Sequence, residues 1–167
     1  SHSRAIAAIK KGIFEQEIIP VEVPQRKGDP ILFTTDEHPR EDSTIEKLSK
    51  LKPVIGGICT AGNASGENDG ACAVTIMSEK KLAETGLKPL AYLKGFAITG
   101  TDPKYTYKSL SSAIQKGLEK TGLKMSDIDL IEMHEAFAPQ FLANCRELNL
   151  TEKDYDRINV NGSCISL

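Results

Sequence analysis

From residue 71 onward the chain alternates short apolar runs with amphipathic segments, and this alternation narrows the fold more than any other feature. Residues 71–77 are nearly continuously apolar, as in a strand buried on both faces. Ser78 and Glu79 then open a helix that Gly86 stops. Residues 90–99 read as a second strand. Residues 107–121 read as an amphipathic helix, with Leu110, Ala113, Ile114 and Leu118 as its stripe and Gly122 as its stop. A strand over 128–133 and a helix over 136–148 follow, the helix carrying Phe137, Phe141, Leu142 and Cys145 on one face. Residues 163–167 read as a last short strand. This order of elements predicts an α/β fold with a largely parallel sheet.

The first 70 residues are less regular. Residues 3–13 read as the end of a helix closed at Gly12. Residues 17–23 read as a strand, and Pro20 places it at a sheet edge. Residues 24–43 contain Pro24, Gly28, Pro30 and Pro39 without a period, which predicts a long loop of the kind that often carries function. Ser43 or Thr44 caps a short helix that ends before Pro53. Residues 56–70 hold five glycines and two asparagines and should turn tightly.

The bulk properties exclude several classes. A length of 167 residues supports one domain with a core of its own. A net charge of −2 offers no global attraction to nucleic acid or an anionic membrane. No apolar run approaches the ~20 residues that span a bilayer, so no membrane insertion is expected. Ser1-His2-Ser3-Arg4 does not resemble a signal peptide, and a cytoplasmic protein is expected. Cys59, Cys72, Cys145 and Cys164 form no tight pair, which argues against zinc and for reduced, mostly packing thiols.

His134 and Glu135 stand between an apolar strand and a helix. Ligands of α/β sheets bind at the carboxyl ends of strands, and a helix N-terminus stabilises negative charge, so the position suits an oxyanion site. The plain alternative is an ordinary strand-end histidine and a first-turn glutamate. Thr60-Ala61-Gly62-Asn63-Ala64-Ser65-Gly66, with Asn68-Asp69-Gly70, is either a loop that lets a backbone approach a ligand or a structural turn before a strand. Arg40 is either a phosphate-binding guanidinium or a solvated surface charge.

These motifs together resemble the thiolase family, whose members make or break carbon–carbon bonds in acyl-coenzyme A thioesters. The residues that carry the resemblance are Met133-His134-Glu135-Ala136-Phe137-Ala138, the Thr60–Asp69 motif, Asn159-Val160-Asn161-Gly162-Ser163, and Asp36-Glu37-His38-Pro39-Arg40 with Leu48-Ser49-Lys50-Leu51-Lys52-Pro53. Most members carry asparagine at the place of His134. The histidine form resembles the branch that includes the β-subunits of fatty-acid oxidation complexes. The resemblance implies that His134 holds a water that donates to the thioester oxygen and that Glu135 orients the reacting groups. Ala136 and Phe137 would line the acyl or pantetheine tunnel. Ala61, Gly62 and Ser65 would contact the pantetheine arm, and Arg40, with Lys47 and Leu51 along the same surface, the nucleotide end of coenzyme A. Coenzyme A and acyl-CoA enter as substrates, with no permanently bound cofactor and no metal.

The implied fold is a partial thiolase-like α/β fold, with mixed sheets and helices in a layered α-β-α-β-α sandwich. Residues 1–67 would belong to the loop domain over the coenzyme. Residues 68–87 would be the last strand and helix of the N-terminal domain, and 88–167 the first part of the C-terminal domain. By the same resemblance the nucleophilic cysteine lies before residue 1, and the glycine-histidine-proline histidine and second cysteine lie after residue 167. The chain is then expected to be part of a longer protein, inactive alone, poorly stable alone, and a homodimer or homotetramer when whole. Two other readings are a non-catalytic coenzyme A-binding protein and a ketoacyl synthase; the motifs at 60–66 and 134–137 argue against the synthase.

Overall fold

The structure is a computed structural model that describes residues 1–167. Helix α1, His2–Lys10, buries Ala5 and Ala8. Strands β1, Val21–Val23, and β2, Ile31–Phe33, form an antiparallel hairpin with Glu22 opposite Leu32. Four further helices follow: α2, Ile45–Leu48; α3, Glu79–Thr85; α4, Ser109–Thr121; and α5, Ala138–Glu147.

The punctuation read from the sequence operates as expected. The Thr44 and Ser78 side chains accept from the N–H groups of Lys47 and Lys81 at the starts of α2 and α3. Gly86 and Gly122 close α3 and α4 in the left-handed conformation, which costs glycine nothing. α4 starts at Ser109 rather than 107, because Pro103–Lys108 forms a tighter 3₁₀ turn on the Asp102 cap. α5 starts at Ala138 rather than 136, with Phe137 extended at the cap position and a proline in its first turn.

The strand expectations fare differently. Only Val21–Val23 of the segment 17–23 is a strand, since the chain from Phe14 to Ile18 is a turn. The expected loop 24–43 contains β2, an apolar triplet too short to show a period. Residues 71–77 and 90–99 pair with nothing, and 128–133 makes one parallel bridge, Ile131 to Ile158. Residues 163–166 form a turn closed by Ser166 N–H on the Ser163 carbonyl, not a strand. A strand exists only through a run of hydrogen bonds to a partner, and none of these segments has one.

The core lies beneath α5. Ile131, Met133, Cys145, Leu148, Leu150 and Ile158 form one buried cluster, with Ile114, Met125, Ile128, Phe141 and Tyr155 packed on its rim. Fully buried Asn144 joins α5 to the start of α4, accepting from Ser111 N–H at 2.7 Å and donating to the Gln140 carbonyl at 2.8 Å. Arg4 carries α1 to this body by donating to the carbonyls of Tyr155 and Ile158. At the same seam Gly162 (φ +88°) lies so close to α1 that a β-carbon there would meet Ala5 Cβ at 2.9 Å.

Elsewhere the apolar residues are open to water. Only 13 of 167 residues are buried, and the accessible surface is 13333 Å². A folded monomer of this mass exposes about 8,000 Å². Leu90, Leu93, Phe96 and Ile98 on one extended segment, and Val74 and Ile76 on another, all lie exposed. Exposed apolar surface beside unpaired backbone forfeits most of the burial that drives folding. The 167 residues alone are therefore expected to unfold over a broad range without a cooperative transition and to bind a hydrophobic dye when cold. A single sharp calorimetric transition would contradict this.

Candidate functional site

The site is built where residues 131–138 meet two loops. Ile131 N–H donates to the Arg157 carbonyl and the Ile131 carbonyl accepts from Asn159 N–H, both at 2.9 Å, so the turn after Ile158 runs beside this segment. Asn159 locks it there. Its side chain accepts from Met133 N–H at 2.7 Å and donates to the Met133 carbonyl at 2.9 Å and to Glu135 Oε1 at 3.0 Å. Asn159 itself sits at φ +48°, a conformation asparagine tolerates better than most residues. Ser163 Oγ adds a bond to the same Met133 carbonyl at 3.0 Å.

Alternation along this segment sorts its side chains. Met133 and Glu135 are buried; Glu132 and His134 are exposed. Glu135 is 8% exposed, and its Oε2 is buried with no hydrogen-bond partner. It borders a cleft of about 250 Å³ lined also by Ser1, Arg4, Phe141, Tyr155, Ile158 and Asn159. Burial, and then the Glu135 charge, push the Glu132 carboxyl above its ordinary range. His134 faces outward, and its Nδ1 lies 2.8 Å from Cys164 Sγ.

The glycine-rich loop docks on the next residues. Ser65 N–H donates to the Ala136 carbonyl at 2.9 Å, and Ala138 N–H to the Asn63 carbonyl at 2.8 Å, while Ala64 and Phe137 form an antiparallel bridge. One of the free donors at the start of α5 is thus already occupied by the loop. Asn63 holds the loop's shape, accepting from Thr60 N–H at 2.7 Å and donating to the Ile58 carbonyl at 3.1 Å. Gly62 lets it pack on the end of α2 and the turn after it: a β-carbon there would come within 2.5 Å of both Leu48 and Leu51. Ala61 and Phe137 keep exposed faces, while Gly62, Ser65 and Ala136 are half-buried.

The basic residues make their contacts outside this junction. Lys47 Nζ is 2.8 Å from Asp42 Oδ2, a surface pair that occupies its ammonium. Arg40 is exposed; its backbone N–H donates to His2 Nδ1 at 3.2 Å, and His2 stacks on His38 at 6.0 Å between ring centroids. Burial lowers the His2 pKa below its usual value, with His38 and Arg40 adding repulsion and Glu135 opposing them. The structure therefore brings Gly62, Ser65, Leu51, His134, Glu135, Ala136 and Phe137 into one neighbourhood. Arg40 approaches it through His2, and Lys47 is held by Asp42.

Two participants were not assigned a role from the sequence. Asn159 opens the 159–163 segment that carries the family resemblance, and an asparagine before a tight turn is itself a signal for positive φ and side-chain bonding to backbone. Cys164 was expected to pack; its partnership with His134 joins residues 30 apart and leaves no trace in either local pattern.

Comparison with known proteins bears on what this site is. The family model described as "Thiolase, N-terminal domain" matches residues 1–80, and that described as "Thiolase, C-terminal domain" matches 87–167. The chain belongs to the thiolase family. It is 48% identical to an acetyl-CoA acetyltransferase of Chromobacterium violaceum and 46% identical to a probable acetyl-CoA acyltransferase of Staphylococcus aureus, over 100% of its own length and 42% of theirs. Among solved structures, it matches the Bacillus anthracis acetyl-CoA acetyltransferase with a TM-score of 0.94 and 46% identity, covering 100% of this chain and 42% of that one. Against human mitochondrial 3-ketoacyl-CoA thiolase the values are 0.92 and 42%, covering 99% and 42%. The chain thus spans well under half the length of these relatives. The unpaired extended segments and the small hairpin are those of a partial thiolase-like α/β fold.

Asn159→Ala in the intact protein should cost about 2–4 kcal/mol, because it strands the Met133 N–H and a carboxylate oxygen of Glu135 and leaves the Met133 carbonyl only its bond from Ser163. Asn159→Gly, which accepts the positive φ but loses the same bonds, should cost nearly as much in denaturant unfolding. A loss under about 0.5 kcal/mol for both would show that the clasp is dispensable.

Proposed function

We propose that these residues form part of an acyl-CoA:acetyl-CoA C-acyltransferase, a thiolase that cleaves 3-ketoacyl-CoA with coenzyme A or runs the reverse condensation through an acyl-cysteine. One observation carries the reading: the 60–66 loop is clipped by main-chain bonds directly onto residues 136–138, beside His134 and Glu135. A thioester laid along that seam would meet small residues and backbone on one side and the imidazole on the other.

In this reading His134 holds the water that donates to the thioester oxygen, and Glu135, fixed by Asn159, orients its neighbours. Ala61, Gly62, Ser65, Ala136 and Phe137 flank the pantetheine arm and acyl chain. Arg40, with Lys47 of α2 and Leu51 just after it, takes the nucleotide end; Lys47 would first release Asp42. The nucleophilic cysteine and its activating histidine are supplied by polypeptide outside these residues. Residues 1–67 are assigned to the loop domain, 68–87 to the end of the N-terminal domain and 88–167 to the start of the C-terminal domain. The extent of exposed apolar surface supports burial by the remaining polypeptide and by a second subunit in a homo-oligomer. No helix is long and apolar enough to cross a membrane. The four free cysteines support a reducing, cytoplasmic setting, and the histidine form at 134 supports a place in fatty-acid breakdown.

The test is thiolysis of acetoacetyl-CoA and a longer ketoacyl-CoA by the full-length enzyme. His134→Ala should lower kcat on the order of a hundredfold with coenzyme A affinity changed by less than about threefold. Arg40→Ala should instead weaken coenzyme A binding by about tenfold, the equivalent of one charge-assisted bond, with kcat largely kept. An unchanged rate in the first variant removes His134 from the mechanism. An unchanged affinity in the second returns Arg40 to the solvated surface.

A further inference from the structure

The Cys164 thiol is the feature that the acyl-transfer reading leaves unused. Of the four free cysteines, Cys145 is 1% exposed, and burial, with some repulsion from Asp154, pushes its thiol pKa up. Cys59 is half-buried and Cys72 exposed, and neither sulfur has a hydrogen-bond partner. Cys164 is half-buried, and its sulfur lies 2.8 Å from His134 Nδ1 on an exposed imidazole. A thiol within hydrogen-bond reach of an imidazole is a nucleophile paired with its base.

The pairing is built into the fold. His134 follows Met133, whose N–H and carbonyl are both taken by the Asn159 side chain. Cys164 follows Ser163, whose hydroxyl donates to the same Met133 carbonyl and whose N–H donates to Ser1 Oγ at 3.0 Å. The residue before each partner is therefore tied to the other segment, and the two side chains stand opposite each other. Solvent reaches both.

We infer that Cys164 and His134 form a second nucleophilic centre, a modification site for soft carbon electrophiles. In the reaction the sulfur forms a bond to the electrophilic carbon as the carbon–leaving-group bond breaks. The leaving group departs with the bonding pair, and the thiol proton passes to His134 Nδ1. With an α-haloamide the products are a thioether at Cys164, a halide ion and a protonated imidazole. The inference does not rest on acyl transfer and holds or fails whatever the thiolysis assay gives.

The test is alkylation of the intact native protein with limiting iodoacetamide at neutral pH, with the modified fraction at each cysteine read by peptide mass spectrometry over time. Cys164 is expected to be labelled on the order of tenfold faster than Cys59, which is also half-buried but whose sulfur has no hydrogen-bond partner. His134→Gln should bring Cys164 down to or below the rate of Cys59. Cys145 serves as the folding control, since it is protected only while the core is intact. Labelling of Cys164 no faster than Cys59 in the unaltered protein would overturn the proposal without any variant. So would an unchanged Cys164 rate in His134→Gln with Cys145 still protected.

Discussion

The side chain of Asn159 is the interaction on which the rest of this structure depends. It behaves as a short piece of sheet partner, taking both the donor and the acceptor of Met133 and reaching the Glu135 carboxylate as well. One amide thereby fixes the height of residues 133–135 against the turn at 158–163. That turn carries Gly162, whose missing side chain admits Ala5 of α1, and leads into Cys164 beside His134. The segment it holds runs on into Ala136 and Ala138, which receive the 60–66 loop. A buried amide with its bonds satisfied is worth keeping in a low-dielectric interior, because the Met133 N–H and the Glu135 oxygen it pairs would otherwise be stranded.

Glu135 shows the opposite side of that rule. One carboxylate oxygen is satisfied by Asn159, and the other is buried with no partner. Burial of such an oxygen is costly unless a donor meets it. Arg4, which borders the same cleft, spends its guanidinium on the carbonyls of the 155–158 turn. The fold thus holds the Glu135 side chain in a fixed place with one oxygen left without a donor.

The distribution of apolar surface separates the molecule into a finished part and an open one. Beneath α5, sequence-local helices meet the 131–133 segment and close a small core. At 71–77 and 90–99 the same kind of apolar residue faces water, because a strand cannot bury its faces or satisfy its backbone by itself. Helices carry their own hydrogen bonds and so persist where strands do not.

Local chemistry was legible in the sequence wherever the cause was local. The caps at Thr44 and Ser78, the stops at Gly86 and Gly122, and the stripe of α4 all follow from interactions within a few residues, and all are present. The motifs at 60–66 and 134–137 also declared themselves, since small residues and a histidine–glutamate step are visible as a string. Tertiary structure alone decided which apolar runs became strands, because pairing needs neighbours that no local pattern supplies. It alone set the loop at 60–66 onto residues 136–138, occupied Lys47 with Asp42, gave Asn159 its clasp and placed Cys164 against His134. Each of these joins groups through space, at a distance and angle that composition and periodicity do not encode.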